Sequence, residues 1–234
     1  ADAYGNPSSN HGSGLKARAL LDDARAAARQ VLGVPTGQLL FTSGATEGIQ
    51  TAVLSALTAL RQRKDAGDTA TPQLLYGATE HKAVPEALKH WNAVLGLHLP
   101  IQAIPVGTDG RHDLDWLRAQ APTAGLVCTM AANNETGVVS DLEGIASALR
   151  GNPALWLVDG VQALGKLALR PLERGIDYAP FSGHKLYAPK GVGMLYVREG
   201  APFTPLLAGG GQEGALRAGT ENMAGIAALG AVLQ

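Results

Sequence analysis

Apolar and polar positions alternate along this chain in two rhythms. Short, nearly continuous apolar runs of strand length recur. Between them lie longer stretches whose apolar residues fall three and four apart, the period of an amphipathic helix. Residues 14–32 read as a helix on Leu15, Ala19, Ala26, Ala27 and Val31, with Gly33 placed to cap its C-terminus. Gln38 to Phe41 is a short strand, and Thr46 to Arg63, rich in Ala and Leu, a helix. Leu74 to Gly77 is a strand, and Glu80 to Leu95 a helix with Pro85 in its first turns, where proline is tolerated. Leu97 to Ile104 is a strand, followed by a helix from Asp113 to Gln120 that Asp113 can cap. Gly125 to Met130 is a continuous apolar strand of the kind buried on both faces. Asp141 to Leu149 is a helix; Ala154 to Val158, Tyr178 to Phe181 and Val192 to Val197 are strands; Glu221 to Leu233 begins a helix with no stop signal.

Strands alternating with helices of these lengths predict an α/β fold: a mostly parallel sheet with helices on both faces. At 234 residues the chain can bury a full core, and no linker divides it, so one domain over 1–234 is expected. The run Gly209-Gly210-Gly211 is the one obvious flexible loop. A net charge of −1 without blocks of like charge argues against nucleic acid or an anionic membrane as the main partner. No apolar stretch approaches a spanning helix, and the first residues do not resemble a signal peptide. A single cysteine, Cys128, excludes an intrachain disulfide framework and fits a reducing compartment, so the cytoplasm is the expected location.

In open α/β sheets ligands bind beyond the carboxyl ends of the strands. Five strands here end in small or functional polar groups: Thr42 to Glu47, Thr79-Glu80-His81, Asn133 to Gly137, Asp159 to Gln162, and Ser182-Gly183-His184-Lys185. An acid closing one strand and a lysine just past the next suit a pyridoxal phosphate site. The lysine would bond the cofactor's aldehyde, and the acid would keep the pyridine nitrogen protonated. Each cluster also has a plainer reading. Ser43-Gly44-Ala45-Thr46 is a helix start as well as a phosphate cradle with free N–H groups. His81 suits a surface or capping residue as well as a ring-stacking acid/base, and Asn134 a turn. Asp159 suits an N-cap, Ser182 and His184 turn residues, and Lys185 an ordinary surface lysine. Cys128, inside an apolar strand, reads as an inert core thiol.

A rival motif spans Gly160 to Leu167, which satisfies G-x-x-x-x-G-K after a strand. A nucleotide-binding loop would need Ser or Thr next, and position 167 is Leu. The six histidines are scattered, and no spacing resembles a zinc site.

Taken in order, the clusters resemble the class V aminotransferase group of fold-type-I pyridoxal phosphate enzymes, and within it the cysteine desulfurases of the nitrogen-fixation and iron–sulfur-assembly type. The stretches that carry the resemblance are Gly5-Asn6-Pro7-Ser8-Ser9 with His11, Phe41 to Glu47, Thr79 to Val84, Asn133 to Gly137, Val158 to Gln162, Phe181 to Lys185, Pro189 to Gly193, Gly209 to Glu213, and Arg217 to Asn222. The resemblance implies the large domain of that fold. By position it makes Lys185 the Schiff-base lysine and His81 the ring-stacking acid/base. Asp159 would pair with the pyridine nitrogen, Gln162 with the ring hydroxyl oxygen, and Asn134 with cofactor or substrate. Ala45, Thr46, Ser182 and His184 would hold the phosphate. Thr220 resembles the residue lent to the phosphate of a partner subunit, which implies a homodimer.

What the resemblance implies for the intact protein is transfer of sulfur from L-cysteine to an enzyme cysteine as a persulfide, with alanine released and a sulfur-acceptor or iron–sulfur scaffold protein as partner. The loop that carries that nucleophilic cysteine, and the arginine that binds the substrate carboxylate, belong to a later segment absent from this sequence, and the N-terminal segment looks shortened. The chain is therefore expected to be a C-terminally truncated cofactor-binding domain. The alternatives are a related class V lyase or aminotransferase, and a catalytically incomplete cofactor-binding fragment.

Overall fold

The seven apolar runs line up as a single sheet in the computed structural model, which describes residues 4–234. In chain order they are β1 (Gln38–Thr42), β2 (Gln73–Gly77), β3 (Ile101–Ile104), β4 (Ala124–Met130), β5 (Leu155–Asp159), β6 (Tyr178–Ser182) and β7 (Gly193–Val197). Their spatial order is β1-β7-β6-β5-β4-β2-β3. β2 pairs in parallel with β3 and β4, β4 with β5, and β5 with β6. β7 runs the other way, antiparallel to both β1 and β6. The reason is length: the connection from β6 to β7, Gly183 to Val192, is shorter than the dozen or more residues a parallel crossover needs.

The helices are α1 (Gly12–Leu32), α2 (Ala45–Asp65), α3 (Ala83–Val94), α4 (Leu114–Gln120), α5 (Leu142–Leu149), α6 (Pro171–Arg174) and α7 (Met223–Val232). They cover both faces of the sheet, as the alternating pattern predicts. Because successive strand residues point to opposite faces, Leu39 and Phe41 of β1 enter the core shared with α1, α4, α5 and α7, while Leu40 enters the core built with α2 and α3. β4 is buried along its whole length, the consequence of helices on both sides. Cys128 belongs to the α2–α3 core and is fully buried; that burial pushes its thiol well above the ordinary value. The reading of an inert core thiol holds.

The helix caps follow the sequence closely. Gly33 ends α1 at φ 65°, with its N–H directed to the carbonyls of Arg29 and Gln30. Asp113 and Asp141 cap α4 and α5 by accepting from the amides of Trp116 and Gly144, both at 2.9 Å.

Two starts lie three or more residues later than expected, each because a side chain claims backbone groups. α3 starts at Ala83 rather than Glu80, because Thr79-Glu80-His81 forms a turn in which the Glu80 carboxylate accepts the Met130 amide of β4. β3 starts at Ile101 rather than Leu97: both backbone groups of Leu99 are held by the side-chain amide of Asn92, at 2.9 and 3.0 Å, so they do not join the ladder. The four-residue α6, opened by Pro171 and closed by Gly175 at φ 72°, went unmarked because it is too short to show a period.

The glycine-rich loop is pinned rather than loose. Just past Gly211, Glu213 is buried and accepts from Arg25 through both carboxylate oxygens, at 3.0 and 3.2 Å, and from the Phe41 amide. A few residues on, Arg217 donates to Glu47 of α2 at 2.9 and 3.3 Å. The loop is thereby tied to α1, β1 and α2 at once.

Gly193, paired with both Thr42 and Ser182, shows how tightly the strands meet near these ends. A Cβ there would lie 2.4 Å from the Phe181 carbonyl oxygen and 2.6 Å from the Cα of Gly44, both backbone atoms. Gly193→Ala is expected to destabilise the fold by about 1–3 kcal/mol. Urea denaturation measures this; an unchanged midpoint would show that the strand ends can separate.

Candidate active site

Six of the seven strands point their carboxyl ends to the same edge of the sheet, and the turns that follow them meet there. They enclose a cavity of about 540 Å³. Ala45, Thr46, His81, Asn134, Asp159, Gln162, Ser182, His184 and Lys185 all line it. Nine of the ten residues singled out from the sequence thus converge, although they come from five separate turns. Thr220 does not: it lines a smaller neighbouring cavity of about 130 Å³ with Arg217, Glu221 and Asn222, separated from the first by the shared Ser43 and Gly191.

One wall is the start of α2. No side chain caps this helix, so the amides of its first turn face the cavity with the positive end of a 21-residue helix behind them. Thr42 and Glu47 shape the approach. Thr42 Oγ1 accepts from the Gly44 amide at 3.3 Å, and Glu47 accepts from the Ser43 amide at 2.7 Å. Opposite lies the pair Ser182 Oγ and His184 Nδ1, 2.8 Å apart. Free amides, the hydroxyls of Ser43, Thr46 and Ser182, an imidazole and the Lys185 amine make this end suited to an anion.

The floor is Asp159, which is 6% exposed and closes β5. Its Oδ1 accepts from the Val161 amide at 2.9 Å. Burial raises its carboxyl above the ordinary value, against the pull of the Val161 amide and of neighbouring His81. Among the described residues it has no cationic side chain within salt-bridge distance. A buried carboxylate facing a cavity with no cation of its own calls for a cationic group from outside the chain.

The side walls are the turns after β2 and β4. His81 is exposed to the cavity; its Nδ1 accepts from the Ala83 amide at 3.2 Å, which leaves Nε2 to carry the proton of the neutral ring. Asn133 ties the two turns together, donating to the Thr79 carbonyl at 3.0 Å while its Oδ1 accepts from the amides of Glu135 and Thr136. That brace presents Asn134 at the rim. Lys185 follows β6 in a short 3-10 turn that Tyr187 closes at φ 66°. Its amine is exposed and, among the described residues, has no hydrogen-bond partner.

The rival nucleotide loop does not form a second site. Val161 and Gln162 of that run line this same cavity, and Lys166 does not; Lys166 Nζ donates to Gln162 Oε1 at 3.3 Å. Several lining residues escaped the sequence reading, Glu47, Lys190 and Met130 among them. Glu47 and Lys190 lay inside matched stretches, Thr42 to Glu47 and Pro189 to Gly193, without a role. Met130 looks like any apolar strand residue, and only the end of β4 shows that it reaches the cavity.

The fold, an open α/β sheet with a lysine, a buried acid and a helix start on one cavity, has known relatives. The family described as Aminotransferase class-V matches residues 1–234, and the chain belongs to it. A cysteine desulfurase of Cereibacter sphaeroides is 41% identical over 231 residues, covering 98% of this chain and 57% of that protein. A solved structure named as a NifS-like protein superposes with a TM-score of 0.88 at 34% identity, covering 99% of this chain and 62% of that one. Another, SspA in complex with cysteine, has a TM-score of 0.88 at 28% identity and covers all of this chain and 65% of that one. The chain thus spans little more than half the length of the curated relatives it matches.

The Glu47–Arg217 pair is the link between the two cavities. Burial alone would raise the Glu47 carboxyl, but hydrogen bonds from Arg217 and Ser43 and the Arg217 charge outweigh it and hold the group below the ordinary carboxylate value. The pair therefore stabilises the fold fully above the ordinary glutamate range and loses its contribution as pH falls below it. Arg217→Gln is expected to cost roughly 1.5–3 kcal/mol at neutral pH and less in acid. Denaturation midpoints at neutral and acid pH check this; an equal cost at both would exclude the ionic contribution.

Proposed function

We propose that residues 1–234 are the pyridoxal-phosphate-binding large domain of a cysteine desulfurase. The observation that carries this reading is the cavity itself: an amine, a buried carboxylate without a cation, and an uncapped helix start lie around one space. The residues fit the cofactor's three chemical handles. Ala45 and Thr46 at the start of α2, with Ser182 and His184, hold the phosphate. Asp159 supplies the negative charge that keeps the pyridine nitrogen protonated, and Gln162 meets the ring hydroxyl oxygen. Lys185 provides the amine that anchors the cofactor covalently.

Bound there, pyridoxal phosphate supplies an electron sink for bond breaking at the substrate's α-carbon. The chain's own residues do the rest. His81 stands over the cavity with Nε2 available to move a proton, the Lys185 amine is a second proton carrier, and Asn134 orients cofactor or substrate from the rim. The net reaction breaks the Cβ–S bond of L-cysteine, leaves alanine and passes the sulfur to an enzyme thiolate as a persulfide. Cys128, the one thiol in this sequence, is buried in the α2–α3 core and does not line the cavity, so the sulfur-accepting thiol is supplied from outside these residues. The names of the relatives, and the cysteine bound to SspA, support this substrate.

Thr220, held beside the cavity rather than in it, is the residue that a homodimer would lend to the neighbouring phosphate. A sulfur-acceptor or iron–sulfur scaffold protein is the proposed recipient of the persulfide sulfur. Among the described residues no helix is long and apolar enough to cross a membrane.

The test is direct. Incubation with pyridoxal phosphate and borohydride reduction are expected to leave a stable adduct that mass spectrometry maps to Lys185. In Lys185→Ala the reducible visible absorbance is expected to disappear. An adduct on another lysine, or a spectrum indifferent to the substitution, would overturn the cofactor site. Alanine release from L-cysteine by the full-length protein tests the substrate.

A further inference from the structure

The cavity suited to an anion carries a carboxylate in its own wall. Glu47 is the acid of the first turn of α2 and lines the cavity beside Ser43, Gly44, Ala45 and Thr46. An acid in that position stabilises the helix, because it faces the positive end of the helix dipole. It also sets a negative charge against any anion that the free amides of Ala45 and Thr46 would bind. Left alone, the glutamate would serve the helix at the expense of the site.

Arg217 removes the conflict. Its Nε donates to Glu47 Oε1 at 2.9 Å and its Nη2 to Glu47 Oε2 at 3.3 Å, while the Ser43 amide donates to Oε2 at 2.7 Å. The side chains of Arg217 and Glu47 are 22% and 9% exposed, so water and salt screen the pair little. Against burial, the hydrogen bonds from Arg217 and Ser43 hold the carboxyl below its ordinary value, so Glu47 is ionised at neutral pH. Arg217 does not line the cavity; it lines the smaller one that holds Thr220. It reaches Glu47 from a loop 170 residues further along the chain, and that loop already has an anchor of its own in Glu213 on Arg25.

We propose that Arg217 is a positioning residue for the anion site: by pairing with Glu47 it cancels the carboxylate's charge and holds it on the Ser43 amide, so that the start of α2 accepts a phosphate-bearing ligand. The inference rests on the phosphate end of the cofactor reading and extends it to a residue outside the cavity. It makes phosphate affinity follow the summed charge of the two residues rather than the presence of their contact. The intact pair is neutral. Glu47→Gln leaves one positive charge, Arg217→Gln leaves one negative charge, and the double variant restores neutrality. At low ionic strength each unit of charge is expected to change phosphate affinity roughly three- to tenfold.

Inorganic phosphate is the probe, titrated at constant low ionic strength and followed through the Ala45 and Thr46 amide resonances, which localise the binding. Glu47→Gln is expected to bind it several-fold tighter than the parent, Arg217→Gln several-fold weaker, and the double variant about as tightly as the parent. Added salt is expected to narrow the spread. A contact that served only to hold the loop would weaken binding in both single variants and would not be rescued in the double. That pattern, equal affinity in all four proteins, or amides in the parent indifferent to phosphate would overturn the proposal. Should Arg217→Gln fail to fold, the parent and Glu47→Gln decide between them, because only the charge account makes removal of the acid strengthen binding. Lys185 labelling by pyridoxal phosphate and borohydride is read separately. Phosphate binding in the charge order with no adduct at Lys185 would overturn the cofactor reading alone; an adduct at Lys185 with four equal affinities would overturn the role of Arg217 alone.

Discussion

The shared direction of six of the seven strands is the constraint on which everything else rests. Strands that share a direction deliver the turns after them to one edge, and short crossovers keep those turns close to the sheet. Residues from Ala45 to Lys185 therefore meet around a cavity of about 540 Å³. The antiparallel β7 does not disturb this, because its amino end, not its carboxyl end, arrives beside Thr42 and Ser182. Gly193 stands at that meeting point and lets two backbones approach where a side chain would hold them apart.

Charge at the site is arranged by contrast. At the end formed by the start of α2, positive groups and free amides gather, and the acid among them, Glu47, is paired with Arg217. At the floor, Asp159 is left without a cation among the described residues. Glu213 and Arg25 repeat the first arrangement away from the cavity, with side chains 1% and 24% exposed, and anchor the loop. Buried pairs of this kind contribute geometry more than net stability, because desolvation offsets most of the attraction. What they secure is the position of the loop bearing Thr220 relative to the helix start of α2.

The contrast between Asp177 and Asp159 makes the same point. Both are buried acids near strand ends. Asp177 accepts from the Trp156 amide at 2.7 Å and pairs with Arg198, so the chain satisfies it internally. Asp159 receives one backbone amide and faces open space. Local sequence does not distinguish a structural acid from one that waits for a ligand; the partners do.

Much of the fold was legible in the sequence. Mostly apolar runs marked the strands, most plainly β4 and β6, because a strand covered on both faces has no polar face to show; β3, at the sheet edge, exposes Gln102 and Ala103. Gly33, Asp113 and Asp141 marked helix ends, because capping is a local interaction between neighbours in sequence. The polar clusters after five strands marked the site, because sheet topology makes strand ends converge. What sequence did not show was decided by contacts between distant residues. Asn92 takes Leu99 out of β3, Glu80 delays α3 by reaching β4, and Glu213 and Arg217 pin a loop whose glycines alone suggest freedom. The burial of Asp159 without a cation among the described residues is of the same kind. Propensity and spacing describe a residue and its neighbours along the chain, whereas burial without a partner is a property of the packed interior, and only the tertiary structure decides it.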